Sequence, residues 1–299
     1  MKPTSHRIYK AHGAGNDFVI LIGSADFVAE ELAATARELC DRHRSIGADG
    51  LVWVDTCGLP AIAQAHVWNP DGSAVGMCLN AARCVMVLLH DLFDVEQVEI
   101  RFPGVAIHAW PTPGGARLQF ELQATARSDL SVNAIGRDEW FVNLADPHVV
   151  VGWDDAPTIQ EALLAEIALA HASGGGLSDR PPNCHLVTHD DGLGNHRIRS
   201  FERRVEAETQ ACGSGCVASY LALSLEGEHT FHTGSGDRIR LARINSRWML
   251  EGPALVVFAA EVNVAALAGS SLVTDRIVQR IGTFDATPAS GHDDDQAGA

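Results

Sequence analysis

The chain repeats itself once, around two cysteines. Trp68-Asn69-Pro70-Asp71-Gly72 leads through a short loop to Met77-Cys78-Leu79-Asn80-Ala81-Ala82-Arg83-Cys84. Phe201-Glu202-Arg203 leads in the same way to Ala211-Cys212-Gly213-Ser214-Gly215-Cys216. Each time an aromatic and polar strand end precedes a loop, and a cysteine then opens a helix of small residues. Cys78 and Cys212 lie 134 positions apart. Self-similarity of this kind predicts two related halves, each presenting a cysteine at a helix N-terminus. A length of 299 residues agrees, since a domain takes about 100–200.

The rest of the pattern is mixed α/β. Val98, Ile100 and Phe102 alternate with polar neighbours, as do Leu118, Phe120 and Leu122, and Trp140, Val142 and Leu144. Each run reads as a half-buried strand. Ala29 to Arg42 places Leu32, Ala36, Leu39 and Cys40 on one helical face. Thr158 to Ala172 reads as a helix between Pro157 and Gly174-Gly175-Gly176. From about Gly282 to residue 299 the chain turns polar, and with Asp293-Asp294-Asp295 it reads as a disordered acidic tail.

Composition removes several functions. A net charge of −16 repels phosphate backbones, so no nucleic-acid partner is expected. The longest apolar run, Ala254 to Ala260, stops at Glu261, far short of the ~20 residues of a membrane span. No signal peptide is visible at the start, so a cytoplasmic location is expected, with the seven cysteines as thiols. Only Lys2 and Lys10 could form a Schiff base, which argues against pyridoxal phosphate.

Two helix N-termini facing each other would grip a carboxylate with free N–H groups and favour a thiolate at each cap. They would hold one sulfur on each side of the adjacent carbon. One cysteine, as thiolate, would remove a proton from one face; the other, as thiol, would protonate the opposite face. Such a racemisation needs neither metal nor cofactor. The rival readings are a redox or zinc pair, whose spacing is poor because neither cysteine pair is C-x-x-C, and a thiol-bearing binding protein without turnover. Cys40, Cys57 and Cys184 read as small buried hydrophobes. His185 and His189, and His229 and His232, read as structural. Gly13-Ala14-Gly15 opens no βαβ unit and supports a dinucleotide site only weakly.

Six ordered segments resemble the diaminopimelate epimerase family, the pyridoxal-independent amino-acid racemases. They are Ala11-His12-Gly13-Ala14-Gly15-Asn16-Asp17-Phe18-Val19; Arg44-Ser45-Ile46-Gly47-Ala48-Asp49-Gly50; Asn69-Pro70-Asp71-Gly72-Ser73 leading to Cys78; Asp146-Pro147-His148; Glu202-Arg203; and Glu208-Thr209-Gln210-Ala211-Cys212-Gly213-Ser214-Gly215. The resemblance runs from about residue 8 to 262. It implies two pseudo-symmetric α/β halves, each a barrel-like sheet around a central helix, with the site in the cleft between them. The first half would span 1–124, completed by a strand near 258–281, and the second 125–257. It implies Cys78 and Cys212 as the acid/base pair. Backbone groups at Leu79, Asn80, Gly213 and Ser214 would hold the α-carboxylate. Asn16, Asn69, Asn183, Glu202 and Arg203 fall at substrate-contact positions, with His148 and Glu202 at the α-amino end. It also implies a homodimer acting on a small amino acid without cofactor or metal.

The chain departs from the family pattern at informative places. Leu79-Asn80-Ala81 stands where Gly-Asn-Gly is usual, so Leu79 either narrows the pocket or marks a backbone that no longer needs glycine. Asp146 replaces an asparagine expected near the far end of the substrate. A second substrate carboxylate about 4 Å away would be repelled by about 4 kcal/mol at an effective dielectric of 20. Ala207 replaces a glycine, and Arg204 and Glu206 alter the loop before Cys212. The expected substrate is therefore a monocarboxylic amino acid with a hydrogen-bond-donating side chain, such as O-ureido-serine. Diaminopimelate is the alternative.

Overall fold

A computed structural model of the protein describes residues 5–23, 29–127, 138–144, 146–153, 181–188, 192–202, 205 and 207–263. The helix expected over 158–172, residues Arg203, Arg204 and Glu206, and the tail from 282 lie outside the described residues.

The first half starts with an antiparallel hairpin, β1 (Ser5–Gly13) and β2 (Asn16–Gly23), and continues through α1 (Ala29–Leu39). Then β3 (Gly50–Asp55) lies parallel to β2, and β4 (Ile62–Trp68) antiparallel to β3. The two-residue β5 (Ala74–Val75) folds back on β4 and delivers the chain to α2 (Leu79–Phe93). β6 (Val98–Phe102) returns parallel to β4, and β7 (Val105–Thr112) and β8 (Gly115–Glu121) follow as antiparallel neighbours.

The second half repeats this plan strand for strand. β9 (Thr125–Arg127) lies antiparallel to β10 (Glu139–Asn143), which pairs antiparallel with β11 (Pro147–Trp153). β12 (Asn183–Thr188) is parallel to β11, and β13 (Asn195–Glu202) antiparallel to β12. A short β14 (Ala207–Thr209) again delivers the chain to a helix, α3 (Gly213–Ala222). β15 (Glu228–His232) is parallel to β13, with β16 (Arg238–Ile244) and β17 (Arg247–Pro253) antiparallel beyond it. β17 joins β8 of the first half, and β18 (Leu255–Asn263) returns to β1 as β9 does to β10.

The registers make the repeat quantitative. Phe18 faces Gly50 as His148 faces Asn183, and Leu51 faces Trp68 as Cys184 faces Phe201. Trp68 faces Ala74 as Phe201 faces Glu208. Counting from these pairs, Asn16 corresponds to Asp146, Asn69 to Glu202, Cys78 to Cys212, Leu79 to Gly213 and Asn80 to Ser214.

The sheets wrap their helices because the central strands are apolar on both faces. β3 is buried throughout, and β11 and β12 nearly so. On β2, Phe18 and Ile20 face the cluster around α2, while Val19 and Leu21 face Leu32, Ala36 and Leu39 of α1. Strands covered on both sides read as continuous apolar runs. α2 is buried at ten positions from Leu79 to Leu89, which leaves it no solvent face along that stretch.

Three sequence expectations change. Strand β8 ends at Glu121, leaving Leu122 half-buried beyond it. On β10, Phe141 and Glu139 are buried while Trp140 is only half-buried, so the expected alternation fails because both faces are covered. Cys57 is exposed rather than buried: it lies in the turn that follows β3, where its N–H bonds Asp55 Oδ1 at 2.8 Å. Among the described residues no helix is long and apolar enough to cross a membrane.

Candidate active site

Cys78 and Cys212 occupy the same position in their halves, the N-cap. Both have extended backbone angles, φ −140°, ψ 113° and φ −131°, ψ 107°. Each sulfur accepts a hydrogen bond from the N–H three residues on, Ala81 at 3.4 Å and Gly215 at 3.3 Å. A thiol is a weak cap beside the usual Ser, Thr, Asp or Asn. Neither helix has an acidic residue in its first turn, so both N-termini keep their positive potential for a ligand or a thiolate.

Burial opposes that potential. It pushes the Cys78 thiol up to about 11, with the Glu202 charge adding to the rise and the Ala81 and Asn80 N–H groups working against it. Burial and then Glu202 raise Cys212 well above the ordinary thiol range. At both cysteines burial thus favours the neutral thiol. Glu202 makes a hydrogen bond with Cys212 and accepts one from Thr209 Oγ1 at 2.7 Å. Burial raises its carboxyl from 4.5 to about 7, and the charges of Asp49 and Asp146 add to the rise.

The raised carboxyl makes stability pH-dependent. Folding favours the protonated form of Glu202, so its contribution is complete below about 4.5 and lost as pH rises through about 7. Glu202→Gln, neutral at every pH, should flatten the fall in melting temperature over this window. A slope unchanged from wild type would show that Glu202 is not ionising there.

The predicted contacts fall into two groups. In the first half, Asn16 is buried, donates to Asp49 Oδ2 at 2.8 Å and accepts from Asn80 Nδ2 at 3.0 Å. Asn69 sits half-buried at the end of β4 and donates to Ser73 Oγ at 2.9 Å within its own loop. Leu79 is buried in the first turn of α2 and lies against Gly213, where an added Cβ would stand 2.9 Å from the Leu79 Cβ. Leu79 is helical, so no glycine is required at this position, and its side chain fills the seam between α2 and α3. In the second half, register places Asn183 beside a fully buried His148, with Asp146 half-buried two residues before it. Ser214 Oγ lies 3.4 Å from Cys212 Sγ.

Several supporting residues carried no role in the sequence reading. Arg42 and Lys10 grip Asp17, at 2.6 and 2.7 Å, and Arg42 also reaches Asp49 at 2.7 Å. Although burial raises the Asp17 carboxyl, the bonds from Arg42 and Lys10 hold it below its usual range. Asp49, whose carboxyl is raised by burial and by Asp17, fixes the Asn16 amide. His185 stacks on His148, with 2.9 Å between His148 Nδ1 and His185 Nε2, and its Nδ1 is 2.9 Å from Ser200 Oγ. Gly215 is required above it, because a Cβ there would run into the His185 ring. Arg83 is a fully buried cation that donates to the carbonyls of Pro253 and Leu79 and to Asn80 Oδ1. Arg83 and Asp49 do lie inside recognised segments; Arg42, Lys10 and His185 follow no local pattern.

Among the described residues no group of three His, Cys, Asp or Glu side chains is arranged to hold a metal ion. The sequence model of the diaminopimelate epimerase family matches residues 8–108. Diaminopimelate epimerase of Xanthomonas axonopodis pv. citri (strain 306) is 33% identical over 286 residues, covering 86% of this chain and 96% of its own length. The chain belongs to the diaminopimelate epimerase family. It is thereby an isomerase of the racemase and epimerase type. The corresponding enzyme of Hydrogenobaculum sp. (strain Y04AAS1) is 28% identical over 273 residues, covering 84% of this chain and 96% of its own length. Among solved structures, a hydroxyproline epimerase from Agrobacterium vitis shares the fold with a TM-score of 0.65 at 14% identity, over 94% of this chain and all of that one. A phenazine biosynthesis PhzF-family protein from Enterococcus faecalis gives 0.61 at 12% identity, over 87% of this chain and 99% of that one. These likenesses confirm the expected fold: two pseudo-symmetric α/β halves.

Proposed function

We propose that the protein is an amino-acid racemase that inverts the α-carbon between Cys78 and Cys212 without a cofactor. The observation that carries this reading is that the repeat superposes the two cysteines as caps of equivalent helices. The α-carboxylate lies at the facing N-termini, where the first-turn N–H groups of Leu79, Asn80, Gly213 and Ser214 meet it and the charge that spreads onto it as the α-proton leaves. The α-ammonium lies toward His148 and Glu202. Its positive charge offsets the burial that keeps both thiols protonated. Cys212 loses its proton to the Glu202 carboxylate it contacts, leaving a thiolate and a carboxylic acid. That thiolate takes the α-proton from one face, and the Cys78 thiol gives its own to the other. One bond to hydrogen breaks and one forms, and the two sulfurs exchange roles. The reverse reaction starts from the Cys78 thiolate that this step leaves, with the Cys212 thiol as donor to the opposite face, after which Glu202 returns its proton to Cys212.

The substrate reading rests on charge. Glu202, Asp146 and Asp49 interact electrostatically around the site, and Asp146 takes the place of a neutral amide. A carboxylate at position 146 favours a distal group that donates hydrogen bonds or carries positive charge, of which the ureido group of O-ureido-serine is an example. Diaminopimelate is the second reading, supported by the names of the relatives and by Arg203 beside Glu202 in the matching motif.

One experiment separates them. The protein is incubated in D2O with reductant and a panel of LL-diaminopimelate, O-ureido-L-serine, histidine, arginine, lysine and serine, and loss of the α-proton signal is followed by NMR. Exchange with a monocarboxylic substrate is the expected result. Exchange with diaminopimelate alone overturns the charge argument, and silence across the panel overturns the racemase reading for these substrates. Asp146→Asn should then shift kcat/KM toward dicarboxylic substrates by about tenfold or more, since the repulsion removed is worth a few kcal/mol at contact. A shift confined to kcat for every substrate would place Asp146 in the chemistry instead.

A further inference from the structure

Two sulfurs can reach one carbon only if the halves that carry them keep a fixed separation. At that seam the Asn80 side chain ties the first half to the backbone beside Cys212. Asn80, two residues beyond Cys78, donates one amide hydrogen to the carbonyl of Ala211 at 2.8 Å, and Ala211 directly precedes Cys212. Its second amide hydrogen goes to Asn16 Oδ1 at 3.0 Å, and its oxygen accepts from Arg83 Nη2 at 2.9 Å. The side chain is 2% exposed.

The neighbours fix which way the amide points. Arg83 carries only donors, so the Asn80 oxygen must face it; the Ala211 carbonyl only accepts, so the nitrogen must face that. Asn16 is held in turn, its nitrogen on Asp49 Oδ2 and its oxygen toward Asn80. Arg83 continues the line to the Pro253 carbonyl, again in the second half, at 3.3 Å. The bonds therefore run unbroken from Asp49 through Asn16 and Asn80 to the backbone beside Cys212. Ser214, the equivalent of Asn80 in the repeat, sits at its own cysteine and, among the described residues, returns no such bond.

We propose that Asn80 is a positioning residue whose side chain sets the spacing between the two catalytic thiols. The proposal rests on the two-cysteine reading above. Asn80→Asp keeps the shape and the acceptor for Arg83. It places oxygen lone pairs against the Ala211 carbonyl and Asn16 Oδ1, which pushes the halves apart. A misplacement of about 1 Å is enough to cost about 100-fold in rate, with KM changing far less.

The distinguishing measurement is a ratio. In D2O, α-deuterium incorporated with retention is compared with deuterium incorporated with inversion, using whichever amino acid wild type turns over. Loss of spacing leaves one thiol working alone, so the ratio should rise by up to about 100-fold as inversion falls. A purely structural asparagine would lower both in step and leave the ratio at the wild-type value, which overturns the proposal, as does unchanged inversion. Asn80→Ser, which withdraws the donors without adding repulsion, is read in the same assay if Asn80→Asp does not fold. Oxidation by diamide supplies a reading that needs no substrate: formation of a Cys78–Cys212 disulfide should slow in whichever variant folds, and an unchanged rate counts against the brace. If wild type shows neither exchange nor inversion, the two-cysteine reading falls, while the oxidation rates still decide whether Asn80 sets the spacing.

Discussion

Cys78→Ala and Cys212→Ala should each abolish racemisation while leaving the protein folded. A positioned acid or base is worth about 10²–10⁴-fold in rate, and each variant removes the donor or acceptor for one face of the carbon. The losses should not multiply: once one sulfur is gone, inversion has no complete path, so the double variant should be no worse than either single one. Folding should survive because each cap contributes a weak sulfur hydrogen bond, and the helices are held by the apolar cores around them. Each single variant should retain exchange on the face of its remaining sulfur. With a substrate bearing a leaving group on the β-carbon, that exchange would continue into elimination: the thiolate takes the α-proton, the β-bond breaks, and its electrons depart with the leaving group. The assay is circular dichroism of each enantiomer with parallel NMR in D2O. Full racemase activity in either single variant would remove the mechanism.

How much of this was legible in the sequence depends on how local each signal is. The cysteine-capped helices, the repeat and the strand alternation of Val98–Phe102 are short-range patterns, and they stand in the structure. The pairing of Asn69 with Glu202 lay within that repeat, whereas the equivalence of Asn16 with Asp146 was not legible, because it is carried by strand register and the residues themselves differ. Asn80 illustrates the limit. Its backbone position suggested a carboxylate contact, whereas its side chain acts across 131 positions of sequence, a partner that no local pattern encodes. Arg42 and Lys10 act in the same indirect way: Arg42 holds Asp49, which holds Asn16, and Lys10 holds Asp17, which accepts from the Asp49 N–H. His185 looked like one more histidine among 14. Only the parallel register of β11 and β12 brings it against His148.

Leu79 was the clearest departure from the family pattern, and its place in the seam leads to the second large effect. Gly213→Ala should lower kcat/KM by about 100-fold, the cost of displacing the reacting groups by about 1 Å. The new methyl would stand 2.9 Å from the Leu79 Cβ, closer than real Cβ contacts come, and 3.3 Å from Asn80 Oδ1. Neither obstacle is the far end of a flexible chain. Leu79 Cβ is bonded to the backbone of α2, and Asn80 is held by three hydrogen bonds. The helices must therefore part, at an overpacking cost of about 1–3 kcal/mol. Because residues 79 and 213 are equivalents in the repeat, the seam holds one side chain between them, and this chain gives that space to Leu79. The pair should thus be strongly coupled. Leu79→Gly alone should destabilise the protein, since emptying a buried leucine site costs about 2–5 kcal/mol. In the background of that change, Gly213→Ala should become nearly harmless, and the double variant should recover a large part of the activity lost in Gly213→Ala. A coupling of about 0.5–3 kcal/mol in melting or denaturant titrations is the corresponding stability signature. Additive effects on both rate and stability would show that the two positions do not share the seam.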